Sequence, residues 1–190
     1  MQFLTNRIFA GRLLWLFLLP LVFWVPASRA ADTEVTLEQT KAAVLLRISE
    51  FTTWPSNARI TNGGGRVVGI LNSPGLLAAA KAFVAADPKD RTVVIAVDSL
   101  EKAAACNTIY VGKLDELAKQ ALSGARSKPI LTVGEGPEFI KAGGIIGFVF
   151  RSVGDEVSRD YLISVPAMDE ANIRIDPRIV KKGIKAKEAR

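Results

Sequence analysis

The sequence predicts an α/β fold: a single-domain α/β sandwich whose mostly parallel sheet has five to six strands, with helices on both faces. Three observations predict it. Near-continuous apolar runs of four to seven residues recur along the chain, which suits strands covered on both faces. Segments of helical periodicity separate them, the alternation produced by βαβ crossovers. The composition is globular, with 190 residues, 49% hydrophobic and 23% charged, enough for one domain.

The first thirty residues read as an address. Arg7 and Arg12 form a positive segment, and Leu13 to Val25 is an apolar run broken only by Pro20. The run is shorter than the roughly 20 residues that span a bilayer. Ser28 and Ala30 then place small residues at −3 and −1 of a cut before Ala31. The pattern predicts a secretory signal peptide over 1–30 and a domain over 31–190. Trp54 is the only Trp of that domain.

Thr36 and Gln39 have the spacing of a capping box. Val44, Leu45, Ile48 and Phe51 follow at helical spacing, and the helix should stop before Pro55, whose ring pushes Trp54 out of the α region. Ser56 to Gly65 is polar and glycine-rich, a loop. Val67–Leu71 is the first strand, and the turn Asn72 to Gly75 starts a helix that runs from Leu76 to Ala86. Arg91–Val97 is the second strand, after which Asp98 and Ser99 open a short helix towards Ala105. Thr108–Val111 is the third strand, Leu114–Ser123 an amphipathic helix and Ile130–Val133 the fourth strand. Glu138–Ala142 is a short helix before the fifth strand, Ile145–Phe150. That crossover is so brief that the fifth strand could run antiparallel. Val157–Val165 reads as an edge strand and Met168–Ala171 as a helical turn closed by Asn172, which tolerates left-handed φ. Asp176 and Pro177 give a terminal helix its N-cap and N1 residues.

Composition narrows the chemistry. With no His there is no Ser-His-Asp triad, no Cys-His dyad and no His-ligated metal. One Cys leaves no internal disulfide and no Cys-cluster metal site, so neither a metal nor a cofactor is expected. Cys106 reads as a buried small hydrophobe in preference to a free thiol or an intermolecular bridge. The chain carries 25 basic and 19 acidic groups. Cutting before Ala31 removes three basic residues and no acid, and six more basic residues lie from Arg178 onwards. The alkaline character therefore sits at the two ends and does not describe a nucleic-acid face.

Ligands of open α/β sheets bind beyond the carboxyl ends of the strands. Those ends supply the ligand-binding candidates Asn72, Ser73, Asp98, Ser99, Gly134 and Gly136, although the same residue types serve turns and caps. No phosphate loop follows a strand. The acidic neighbours Asp115/Glu116, Asp155/Glu156 and Asp169/Glu170 point to different faces, and no Ser-x-x-Lys occurs, so nothing supports an enzyme. The most distinctive local feature is Phe51-Thr-Thr-Trp-Pro55. It serves either core packing or, with Arg47, as an anchor for a protein partner.

These pieces together resemble the YfiR family of periplasmic proteins. Lys41-Ala-Ala-Val-Leu-Leu-Arg47 and Phe51-Thr-Thr-Trp-Pro55 are similar to its opening K-A-A-F-L-x-N-F…F-x-x-W-P. Cys106-Asn-Thr-Ile-Tyr-Val111 resembles its C-x-x-x-F/Y-V strand. Pro129-Ile-Leu-Thr-Val133, Phe139 and Gly143-Gly144 resemble P-x-L-T-V…F…G-G, and Gly147–Phe150 and Ile173–Ile175 complete the order. The resemblance spans roughly residues 38–185. It implies a periplasmic, non-catalytic α/β protein that represses a membrane-bound diguanylate cyclase, or another envelope sensor protein, by binding its periplasmic part. Cyclic-di-GMP signalling and biofilm formation would fall in consequence. Partner-binding candidates are Arg47, Phe51 and Trp54. A homodimer is compatible with the sequence, and nucleic acid is not an expected partner. The familiar members have more cysteines and form disulfides, which Cys106 alone cannot. The alternative is a periplasmic small-molecule binding protein that feeds a sensor or transporter.

Overall fold

A computed structural model of the chain describes residues 36–56, 58, 65–153, 156–182 and 184–185. The signal peptide expected over 1–30, most of the loop expected over 56–65 and the last five residues of the basic tail lie outside the described residues. Among the described residues no helix is long and apolar enough to cross a membrane.

The elements follow the order α1 (Leu37–Glu50), β1 (Thr52–Thr53), β2 (Val67–Leu71), α2 (Pro74–Ala86), β3 (Val93–Ala96), α3 (Leu100–Ala104), β4 (Thr108–Val111) and α4 (Glu116–Ala125). The chain continues through β5 (Leu131–Glu135), α5 (Gly136–Lys141), β6 (Ile146–Val153), β7 (Glu156–Ile163), α6 (Val165–Glu170), β8 (Arg174–Ile175), α7 (Pro177–Lys182) and β9 (Ile184–Lys185). The main sheet has the order β3-β2-β4-β5-β6-β7-β9, and a separate ribbon pairs β1 with β8. Six strands of the main sheet have four or more residues, and β9 adds a two-residue seventh that the apolar pattern does not mark.

The strands from β3 to β6 are parallel and β7 returns antiparallel. The fifth strand of the sequence reading, β6, is thus parallel to β5, which settles its direction against the antiparallel option. Gly136 and Gly143, with φ of 66° and 99°, make the short crossover turns, a conformation open to glycine at little cost. Gly144 and Gly134 leave room for the ring of Phe139, so α5 lies flat on the sheet.

Period-two side-chain alternation builds a core on each face. On one face Ala42, Leu45 and Ile48 of α1 and Leu76 and Ala80 of α2 meet Val68, Ile70, Tyr110, Val133 and Phe148. On the other, Ala118, Ala121 and Leu122 of α4, with Phe139, meet Leu71, Ile109 and Val111. Helices cover both faces, as the apolar runs imply. Each large side chain so buried contributes about 1.5–3 kcal/mol. The capping box forms: Thr36 Oγ1 accepts from Gln39 N–H at 3.2 Å, and Thr36 N–H donates to Gln39 Oε1 at 2.8 Å. Asn172 closes α6 with φ 52°.

Candidate functional site

At its carboxyl end α1 stops on Phe51, whose N–H still reaches Arg47 O at 3.1 Å. The chain then extends, and Thr52 and Thr53 pair with Ile175 and Arg174. Asp176 N–H donates to Phe51 O at 3.0 Å and carries the ladder one step further. This two-residue ribbon brings Arg178, far away in sequence, to the end of α1. The Arg47 guanidinium lies 4.6 Å from the centroid of the Phe51 ring, and that of Arg178 lies 5.6 Å away. Both distances suit cation–π attraction, about 0.5–1 kcal/mol at an exposed site. Asp176 grips Arg178, with Oδ2 at 2.8 Å from Nη2, and also accepts Arg178 N–H at 2.8 Å. The Arg178 bonds hold its carboxyl below the usual range, at about 2. Arg47 also pairs with Glu50 at 3.5 Å. Trp54 is half-buried and packs on the α1/α2 core, and its Nε1 is shut from water without a partner in the protein.

The structure thus joins Arg47 to Phe51, sends part of Trp54 inward and adds Arg178. The basic tail is visible in the sequence, but the destination of its first residue depends on a ribbon too short to leave a pattern.

The outer stripe of the same helix, Ala43, Leu46, Arg47 and Glu50, is one wall of a groove of about 590 Å³. Phe83 and residues 87 and 89–92 form the opposite wall, with Arg66 between. Arg66 Nη2 donates to Thr92 Oγ1 at 3.3 Å. The carboxylates of Asp87 and Asp90 accept the N–H groups of Lys89 and Thr92, at 2.9 and 2.8 Å, and so shape the wall. Arg66 and Thr92 precede β2 and β3, so this concavity lies at the amino ends of the strands.

The carboxyl ends look different. The strand order reverses between β2 and β4, the crevice where open sheets receive ligands. Here Asn72, at φ 58°, donates from Nδ2 to Asp115 Oδ2 at 2.8 Å and to Lys113 O at 3.2 Å. The Ala118 N–H, then Asn72, holds the Asp115 carboxyl below the usual range. A Cβ on Gly112 would stand 2.5 Å from Asn72 O, so the two turns close on each other. Ser73 is the N-cap residue of α2, without a capping bond from its side chain. Asp98 pairs with Lys102 at 2.7 Å, which lowers its pKa, and Ser99 Oγ accepts Lys102 N–H at 3.3 Å. A Cβ on Gly134 would overlap the Phe139 ring, and Gly136 supplies the left-handed turn. The six ligand candidates share one rim of the sheet, where each holds a turn, a cap or a packing position.

Beside that rim lies a cluster that sequence reasoning missed. Lys41 Nζ on α1 meets Glu135 Oε1 at 2.8 Å and Glu38 Oε1 at 3.8 Å. The buried Tyr110 hydroxyl donates to the same Glu135 oxygen. Burial, then the hydrogen bond to Glu135, pushes the phenol far up, so Tyr110 stays a donor. The cluster clamps α1 to the ends of β4 and β5. Lys41 belongs to the K-A-A signature, but its partners come from strands far along the chain.

Cys106 is buried, and its thiol donates to Lys102 O at 3.1 Å. Burial pushes it up to about 11. A Cβ on Gly69 would lie 2.5 Å from its sulfur, so the thiol fills a packing position. Among the described residues no three His, Cys, Asp or Glu side chains gather as metal ligands do. The chain matches the family model described as YfiR/HmsC-like over residues 38–182, and no curated protein matches it.

Proposed function

Because the chain belongs to the YfiR/HmsC-like family, we propose that it is a periplasmic regulatory protein. It acts by docking on the periplasmic part of an inner-membrane diguanylate cyclase. Docking favours the inactive state of that enzyme, so cyclic-di-GMP and biofilm formation fall. A signal peptide over 1–30 delivers the chain to that compartment. A binder shifts such an equilibrium only through its differential affinity for the two states, which requires a shaped surface and no catalytic group.

The observation that carries the docking surface is the Phe51 ring at the end of α1, with the guanidinium groups of Arg47 and Arg178 both over it. Aromatic residues and Arg are both enriched at protein interfaces. The test is a pull-down from solubilised membranes, with cyclic-di-GMP measured in a deletion strain. Deletion should raise the nucleotide and Arg47→Glu should lose the cyclase. An unchanged nucleotide level after deletion overturns the reading.

A second reading rests on the groove beside Arg47: a small-molecule binding protein that feeds a sensor or transporter. Its volume falls in the usual range of ligand sites. A metabolite screen by thermal shift tests it, and Arg66→Ala should abolish any shift found.

A further inference from the structure

Helices α3 and α4 lie side by side over the second core, on the face of the sheet opposite α1 and α2. A cavity of about 240 Å³ opens between them. Its floor is Ile109 of β4 and Ile130, the residue before β5, which are 1% and 5% exposed. Its walls include Ala103 and Ala104 of α3 and Ala121 and Gly124 of α4. None of these four carries more than a methyl group, so the two helices leave a trench that their own side chains do not fill.

Packing does not require Gly124. Glycine weakens a helix relative to alanine, and it is at home where a left-handed turn or a close backbone approach needs it. Gly124 lies inside α4, outside the left-handed region, and a Cβ there would meet nothing within 4 Å. Its effect is to keep the trench open. The lining has one ionisable residue, Lys128, on the turn that follows α4. Two backbone bonds fix this turn: Lys128 N–H donates to Ala125 O at 3.0 Å, and Lys128 O accepts Ile130 N–H at 2.7 Å. Among the described residues no carboxylate pairs with the Lys128 ammonium.

We propose that the trench binds a linear aliphatic carboxylate of about eight carbons, its chain between α3 and α4 and its carboxylate on Lys128. The lining selects this chemistry. An apolar floor and apolar walls take an alkyl chain, and a few placed polar groups orient a ligand in such sites. The lone cation takes one anionic head, and no acidic residue of the lining repels it. Size sets the length of the chain. An apolar cavity of about 150 Å³ takes one benzene ring, so the same filling gives this one about ten non-hydrogen atoms, as in octanoate. The trench lies across the sheet from the Phe51 surface and from the groove beside Arg47, so it is a site separate from both.

Isothermal titration calorimetry of the purified protein tests the proposal, with octanoate kept below its micelle concentration. Octanoate should bind at one site per chain. Acetate, which lacks the chain, should not bind. Octan-1-ol, which lacks the charge, should bind about threefold more weakly, the scale of one exposed charge contact. Lys128→Gln should bring octanoate down to the level of the alcohol and leave the alcohol unchanged. Gly124→Leu and Ala104→Leu fill the trench from opposite walls at positions open to water, so each should abolish binding with unchanged circular dichroism. Dodecanoate should add little to octanoate, because its further methylene groups stay in water. Octanoate that does not bind, an alcohol that binds as well as the acid, binding that survives both Leu variants, or affinity that keeps rising through dodecanoate overturns the proposal.

Discussion

Phe51 touches two guanidinium groups, and neither contact is buried, so its ring contributes more to surface shape than to stability. Phe51→Ala should cost about 1–2 kcal/mol in urea unfolding, the sum of two exposed cation–π contacts. The same change should weaken cyclase capture at least tenfold, roughly the effect of losing a modest interface anchor. Asp176 adds a pH dependence to this corner. Its folded pKa is about 2 against an ordinary 3.8, so its stabilising effect is present above the ordinary value and is lost as pH falls through about 2. The Trp54 fluorescence of a chain spanning residues 31–190 should therefore change in acid, and Asp176→Asn should remove that transition. Cys106 has the opposite sign. Its folded pKa of about 11 exceeds the ordinary 9.0, so the stabilisation is full below 9.0 and is lost as pH rises through about 11. A thiol reagent should label Cys106 quickly only after denaturation. Residue identity revealed Phe51, Arg47 and Cys106 as candidates. It marked Arg178 only as part of a basic tail, and its place beside Phe51 arises from the β1–β8 pairing.

At the scale of elements, α1 is held by two devices of different origin. Its capping box is local, and Thr36→Ala should lower stability by about 1 kcal/mol, measured by thermal or urea unfolding. Its clamp is tertiary: Lys41 reaches Glu135, and Tyr110 donates to the same carboxylate. Lys41→Met should cost about 1–3 kcal/mol, because it leaves a partly buried carboxylate with one partner fewer. The paired change Lys41→Met with Glu135→Gln should recover part of that loss. The cap is legible because its two residues are three apart. The clamp is not, because nothing in either segment records which strand end α1 will cross. Glycine shows the same division. Gly134 and Gly136 read as loop chemistry at a ligand rim, while packing explains Gly134: the Phe139 ring occupies the space of a side chain. Gly134→Ala should cost about 1–3 kcal/mol through overpacking in the α5 core.

For the whole molecule, the order of apolar runs and helical segments already determined a mostly parallel sheet covered on both faces. Each strand's period and each helix's stripe are written in neighbouring residues, and right-handed crossovers allow few other arrangements. The family signature is legible for the same reason, as a series of short local patterns in a fixed order. Only the tertiary structure decided which surfaces those patterns build. The crevice between β2 and β4 is closed by Asn72 and Asp115, and the concavity lies at the opposite rim, between α1 and the segment before β3. The Phe51 face needs Arg178, and the α1 clamp needs Glu135. Hydrophobic periodicity states how deeply a residue is buried, whereas a site depends on which distant segments meet, and that is settled by strand order and chain crossing.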